Sequence, residues 1–215
     1  MALLQTVRLE HLPYSHEIHI ALYRDITNAS FLQQQLLDGN TNFEYALIDA
    51  GVVVSKIHAL AAAYRAVSDL LENRLRSRNV HSEIVFSLSP NNNIAESFRR
   101  FGITTSTTSL LIIKVSTPSS PASASEVQAH LTSSIEGEQV PFEDSVLAEM
   151  TDVPRVKKIY KLNSGGGGGG AKRNGQVNGG IEGLSVNGVG MRNGDERKEL
   201  ENLVLGAMAL RGVTN

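Results

Sequence analysis

The stretch from Asn163 to Gly194 sets the outer limits on what this chain can fold into. It holds the run Gly165 to Gly170 and thirteen of the nineteen glycines, with almost no large side chains. Glycine loses more backbone freedom on ordering than any other residue, and nothing here offers buried surface in return. The sequence therefore divides into an apolar-patterned block, 1–162, an expected flexible insertion, 163–194, and a terminal segment, 195–215. The run GGGGGGAKRNG is not a phosphate loop, because no Gly-Lys-Ser/Thr follows it and no strand feeds a helix there.

Beyond the insertion, Asp195 to Leu210 regains helical spacing, with Leu200, Leu203, Val204, Ala207, Met208 and Leu210 available to bury. About thirty flexible residues span roughly 30 Å, enough to reach much of a domain this size. Closing such a loop costs on the order of 3 kcal/mol, while each buried aliphatic side chain contributes roughly 1.5 to 3 kcal/mol. The helix is expected to pack back on its own domain.

The block 1–162 is long enough for one core. Glu17 to Arg24 alternates Ile18, Ile20 and Leu22 and predicts a half-buried strand. A helix should follow, capped by Asn28, striped by Phe31, Leu32, Leu36 and Leu37, and stopped by Asp38-Gly39-Asn40. Phe43 to Ile48 predicts a second strand. Val54 to Arg76 is the clearest helix, with Ile57, Leu60, Tyr64, Val67, Leu71 and Leu75 as its expected core face. Then Ile84 to Leu88 reads as a buried strand, Ser89 to Asn92 as a turn, and Asn93 to Phe101 as a short helix closed by Gly102. Leu110 to Val115 predicts a central strand, Glu126 to Ile135 and Phe142 to Met150 two weaker helices, and Val153 to Leu162 a last strand. The expected fold is α/β of the α+β kind: a single domain whose central mixed, partly antiparallel sheet carries packed helices.

Function classes are narrowed mainly by what is missing. The chain has no cysteine, which excludes disulfides, thiolate zinc sites and a cysteine nucleophile and suits a reducing compartment. Its N-terminus lacks the pattern of a signal peptide and no segment approaches a membrane span, so the chain reads as soluble with no membrane partner. There is no G-x-S-x-G elbow, H-E-x-x-H or G-x-G-x-x-G, and no cofactor is expected. His16 and His19, three apart in a strand, point to opposite faces and cannot share a metal.

The net charge of −2 makes the chain as a whole no magnet for polyanions, so any nucleic-acid contact must be local. Arg99 and Arg100 on the short helix, with Arg155, Lys157, Lys158 and Lys161 near the end of the block, form a phosphate-contacting patch if they share a face. The turn residues Ser89, Asn91 and Asn92, with His58 on the long helix, form a second candidate that would hold a small anion or nucleotide, because a strand running through a polar turn into a helix presents free N–H groups. An ordinary capped unit explains the same turn, and the residues favour it.

Four blocks carry a resemblance: EIHIALYRDITNASFLQQQL, NFEYALIDAGVVVSKIHALAAAYRA, HSEIVFSLSPNNNIAESFRRFGI and ELENLVLGAMALRG. Together they resemble the kinase-binding subunit of the KEOPS/EKC complex, the TPRKB family, and its fungal members most of all. The third block is the most specific: family members carry an S-P-x-N-N-I or S-G-x-x-Q-I turn before a helix ending R-x-G, here Ser89 to Ile94 with Arg100 and Gly102. The resemblance implies a non-enzymatic subunit that binds and modulates the complex's small atypical kinase and, through it, the other subunits. It also implies help in recruiting tRNA by its single-stranded CCA end for threonylcarbamoyl-adenosine modification, a telomere-maintenance role, and a nuclear and cytoplasmic location. Leu203, Val204, Ala207, Met208 and Leu210 on the last helix are the candidate kinase-binding residues.

Overall fold

The computed structural model describes residues 3–162 and 193–211. The flexibility expected of 163–194 concerns residues that, except for the last two, lie outside the described ones. The hub of the sheet is β2 (Ile18–Arg24), which pairs along one edge with β4 (Leu110–Val115) and along the other with β1 (Gln5–Val7) and then β5 (Glu138–Val140). Strand β3 (Ala46–Asp49) lies beyond β4. All of these pairings are antiparallel, which corrects the expectation of a mixed sheet. Strands β1 and β5, three residues each, carry too little alternation to be read from sequence.

Helices cover both faces. Ile18, Ile20 and Leu22 of β2 join the larger core, under α2 (Lys56–Leu71), α3 (Val80–Ser87), α7 (Val153–Ile159) and α8 (Asn193–Leu210). Ala21 and Tyr23 join the smaller core, under α1 (Ala29–Leu37) and α5 (Ala124–Ser134). Strand β2 is therefore buried on both faces rather than half-buried, because each pleat has its own layer of helices. Two short helices, α4 (Ile94–Phe101) and α6 (Asp144–Met150), flank the larger core. No helix among the described residues is long and apolar enough to cross a membrane.

Local chemistry explains the boundaries. Helix α1 stops at Gly39, whose φ of +68° an L side chain rarely adopts. Asn28 sits at the N-cap of α1 but makes no cap bond: its amide donates to the Ser134 carbonyl at 2.8 Å and its Oδ1 accepts from Glu136 N at 3.2 Å, tying α1 to the end of α5. Helix α2 is capped by Ser55, whose Oγ accepts from His58 N at 3.1 Å. Gly102 ends α4 in a confined space, where a Cβ would come within 2.7 Å of the Phe98 carbonyl oxygen.

Three further expectations are corrected. Val80–Ser87 is a helix, not a strand: Asn79 caps it through Ser82 N at 2.8 Å, and the buried Glu83 carboxylate accepts from Arg76 N, Ser77 N and Ser77 Oγ, which fixes the approach from α2. The expected final strand is α7, started by Asp152, whose carboxylate accepts from Arg155 N at 3.0 Å, with Pro154 in the first turn where its missing N–H costs nothing. The core face of α2 is only partly the expected one: Val67 is buried and Leu60 packs against the core, while Leu75 lies past the end of the helix. Its buried side is His58, Ala59, Ala62, Ala63, Ala66 and Val67, whereas Ile57, Tyr64 and Leu71 are 55%, 40% and 42% exposed.

Candidate functional site

The side chains of the turn between α3 and α4 bond within the chain. Ser89 is buried, and its Oγ accepts from Asn91 N at 3.3 Å; Asn91 Oδ1 accepts from Asn93 N at 3.0 Å, and Asn93 Oδ1 from Glu96 N at 2.9 Å. Asn91 Nδ2 is spent on the Glu96 carboxylate at 3.2 Å, and Asn92 Oδ1 on Arg76 Nη1 at 3.1 Å. Three of the turn's N–H groups, those of Asn91, Asn93 and Glu96, are taken up within the chain, and the Glu96 carboxylate lies beside them, so the side chains that suggested a site serve as caps.

His58 is likewise a strut. It is completely buried, and burial pushes its imidazole down to about 3, so the ring is neutral. Its Nδ1 accepts from Val54 N at 3.3 Å, so Nε2 carries the proton and donates to Tyr160 Oη at 2.9 Å. That hydroxyl donates onward to the Leu88 carbonyl at 2.5 Å. The chain of bonds joins α2, the end of α7 and the end of α3, with no polar atom left for a ligand.

The six basic candidates fall into two sets. Arg100 ion-pairs with Glu96 and donates to the Ile159 carbonyl at 3.3 Å; Arg155 ion-pairs with Asp49 at 2.7 Å and donates to the Arg100 carbonyl at 3.2 Å. These two guanidinium groups cross-brace α4 to α7 and are committed within the chain. Arg99, Lys157, Lys158 and Lys161 are exposed, and Arg99 keeps only a loose 3.5 Å pairing with Glu96. The α4 to α7 contact thus brings the sequence-distant Arg100 and Arg155 together, with Asp49 as the carboxylate that sequence reading missed. Asp49 and Arg155 also line a polar cavity of about 320 Å³ with the hydroxyl-rich loop from Thr104 to Ser109.

The apolar candidates on α8 also split. Val204 and Met208 are buried in the larger core with Leu200, and so are not accessible to a partner; this corrects their assignment as docking residues. Leu203 and Ala207 are half-buried and Leu210 is 43% exposed. Helix α8 lies along α2: Arg197 Nη2 donates to the Val54 carbonyl at 2.7 Å near one end, and Arg65 Nη1 to the Met208 carbonyl at 3.0 Å near the other. Past its end, Arg211 is buried against α3, donating to the Phe86 carbonyl and, at 3.3 Å, to that of Ser89, with its guanidinium 4.2 Å from the Phe86 ring centroid. The large side chains Ile57, Tyr64 and Leu71, spaced by seven on the outer face of α2, are left without cover among the described residues. The signal that could have found them is the alanine file on the opposite side of the same helix.

A family model described as kinase binding protein CGI-121 matches residues 23–212. The chain belongs to the CGI-121 family. As a CGI-121 protein it is a kinase-binding subunit and not an enzyme, which agrees with the family inferred from the four sequence blocks. Its relatives include an EKC/KEOPS complex subunit of Aspergillus fumigatus, 51% identical over 211 residues and 98% of each chain. A subunit of the same description from Coccidioides immitis is 49% identical over the whole of both chains. One from Schizosaccharomyces pombe is 29% identical over 68% of this chain and 83% of its own.

Proposed function

We propose that this chain is the kinase-binding subunit of an EKC/KEOPS complex, holding the small atypical kinase on the outer face of α2 and the adjoining exposed side of α8. The observation that carries this reading is family membership, with relatives described as EKC/KEOPS complex subunits along nearly the whole chain. The choice of surface is supported by Ile57, Tyr64 and Leu71, an uncovered apolar row on a long helix, the kind of face that docks partners. The chain also helps recruit tRNA, by its single-stranded CCA end, for threonylcarbamoyl-adenosine modification, with phosphate contacts from Arg99, Lys157, Lys158 and Lys161. It works in the nucleus and the cytoplasm, with a role at telomeres.

The decisive experiment mixes the purified chain with the complex's kinase at micromolar concentration. A defined complex is expected from the native chain, and its loss is expected from Ile57→Glu with Tyr64→Glu. Failure of the native pair to associate overturns the reading. For tRNA, replacing Arg99, Lys157 and Lys158 by alanine should flatten the dependence of log affinity on log salt by roughly 0.7 to 0.9 per lost phosphate contact; an unchanged slope removes the basic patch from the proposal.

A further inference from the structure

A second cavity, about 510 Å³, lies between α1 and the α3–α4 pair, beside the edge strand β3. Its walls are largely apolar: Leu36, Val85 and Ile103 line it together with the half-buried rings of Phe43 and Phe98. The volume is in the range of ligand sites. One acceptor in it is half spent. Glu44 is the one carboxylate of the lining among the described residues; its Oε1 accepts from Asn79 Nδ2 at 2.5 Å, while Oε2 makes no hydrogen bond among those residues. A carboxylate oxygen left open beside apolar walls favours a ligand that brings a donor, because hydrogen bonds to a charged group are the stronger ones. A cationic donor is opposed by Arg78 and Arg99, two exposed guanidinium groups in the same lining against the one carboxylate. What fits is a neutral donor on a flat apolar body.

We infer that this cavity takes one unpaired, amine-bearing base of an RNA strand, adenine or cytosine, whose exocyclic amine donates to Glu44 Oε2 while its ring lies against Phe43 and Phe98. The inference rests on the RNA reading above, because Arg99 belongs both to the exposed basic set assigned to phosphates and to the lining of the cavity. A strand held by Arg99 therefore has a base within reach of the opening. Aromatic walls hold any base by stacking. Glu44 adds the choice: uracil presents a carbonyl oxygen where cytosine presents its amine, and a carboxylate accepts from the amine but repels the oxygen.

Fluorescence anisotropy of the full chain with end-labelled pentacytidylate and pentauridylate, two strands equal in charge and alike in ring size, reads that choice. Pentacytidylate is expected to bind about tenfold tighter, the size of one hydrogen bond to a charged group. Glu44→Gln keeps an oxygen for Asn79 and turns an amide N–H toward the base, so the preference should invert in favour of pentauridylate, a result that a merely structural role for Glu44 would not give. Unlabelled cytidine monophosphate should compete at least about tenfold less well than unlabelled pentacytidylate, since it lacks the neighbouring phosphates; equal competition makes a free nucleotide the occupant and overturns the assignment to a strand. Equal affinity for the two strands, or a preference that Glu44→Gln leaves in place, overturns the base pocket while the phosphate contacts stand. Absence of binding by either strand overturns the RNA reading together with it.

Discussion

Helices α2 and α8 lie side by side over one core, yet they use their apolar residues in opposite ways. Helix α8 turns the large side chains Leu200, Val204 and Met208 into the core. Helix α2 buries alanines and turns Ile57, Tyr64 and Leu71 outward. Small residues on the inner face of α2 let its backbone approach its neighbours closely, whereas α8, a later layer, needs volume to fill its contact. Residue size therefore does not report burial here: the file of small residues marks the packed side, and the large residues mark the outer one.

The comparison breaks most easily at α8. Met208→Ala should cost about 2 to 5 kcal/mol, as deletions of buried side chains do, read as a lower urea midpoint. If the change were negligible, α8 would not be integral to the core. On α2 the buried His58 gives the next effect. Its folded value, about 3, lies below the unfolded value near 6.5, so the stability it protects is complete above pH 6.5 and drains as pH falls toward 3. The expected slope is about 1.4 kcal/mol per pH unit for this residue, with His81 adding a similar share. Urea titrations between pH 7 and pH 5 measure it, and a flat profile would mean the two rings are not held neutral.

Overpacking should come third. Ala62→Leu on the inner face of α2 is expected to destabilise by about 1 to 3 kcal/mol, because the close approach leaves no room for the added atoms. Equal tolerance of leucine at Ala62 and at an exposed position would erase the distinction between the faces. The smallest stability effect belongs to Tyr64→Ala, within about 0.5 kcal/mol in thermal melts. That variant sharpens the comparison from the other side, since it should weaken kinase association while the fold stays intact.

Parts of the architecture were legible because their pattern had a period. Strands β2 and β4 showed alternation or a continuous apolar run, and α1, α5 and α6 were bounded by polar residues at readable places. Helix α3 was not legible: nearly every residue from Val80 to Ser87 is buried, so it has no polar face, and Ile84-Val85-Phe86 in isolation favours a strand. For α7 the signal was present in Asp152 and Pro154, a cap and a first-turn proline, but the β-branched and charged mixture around them reads equally as an edge strand. The family was readable from the Ser89 to Gly102 block, while the roles within it were not. Only the fold shows that the asparagines close on themselves, that Arg100 and Arg155 serve as braces, and that His58 is sealed by Tyr160.

Arg211 has a consequence for the order of events during synthesis. It supplies the guanidinium that satisfies carbonyls at the end of α3, 125 residues earlier in the chain. That helix leaves the ribosome long before Arg211 is made, so the Ser89 carbonyl, and the second acceptor site of the Phe86 carbonyl that Ser89 N already serves at 3.1 Å, must wait for the guanidinium. The nascent protein can assemble its sheet early, but the seal on α3 is a late step, and interrupted translation would leave a recognisably unfinished molecule.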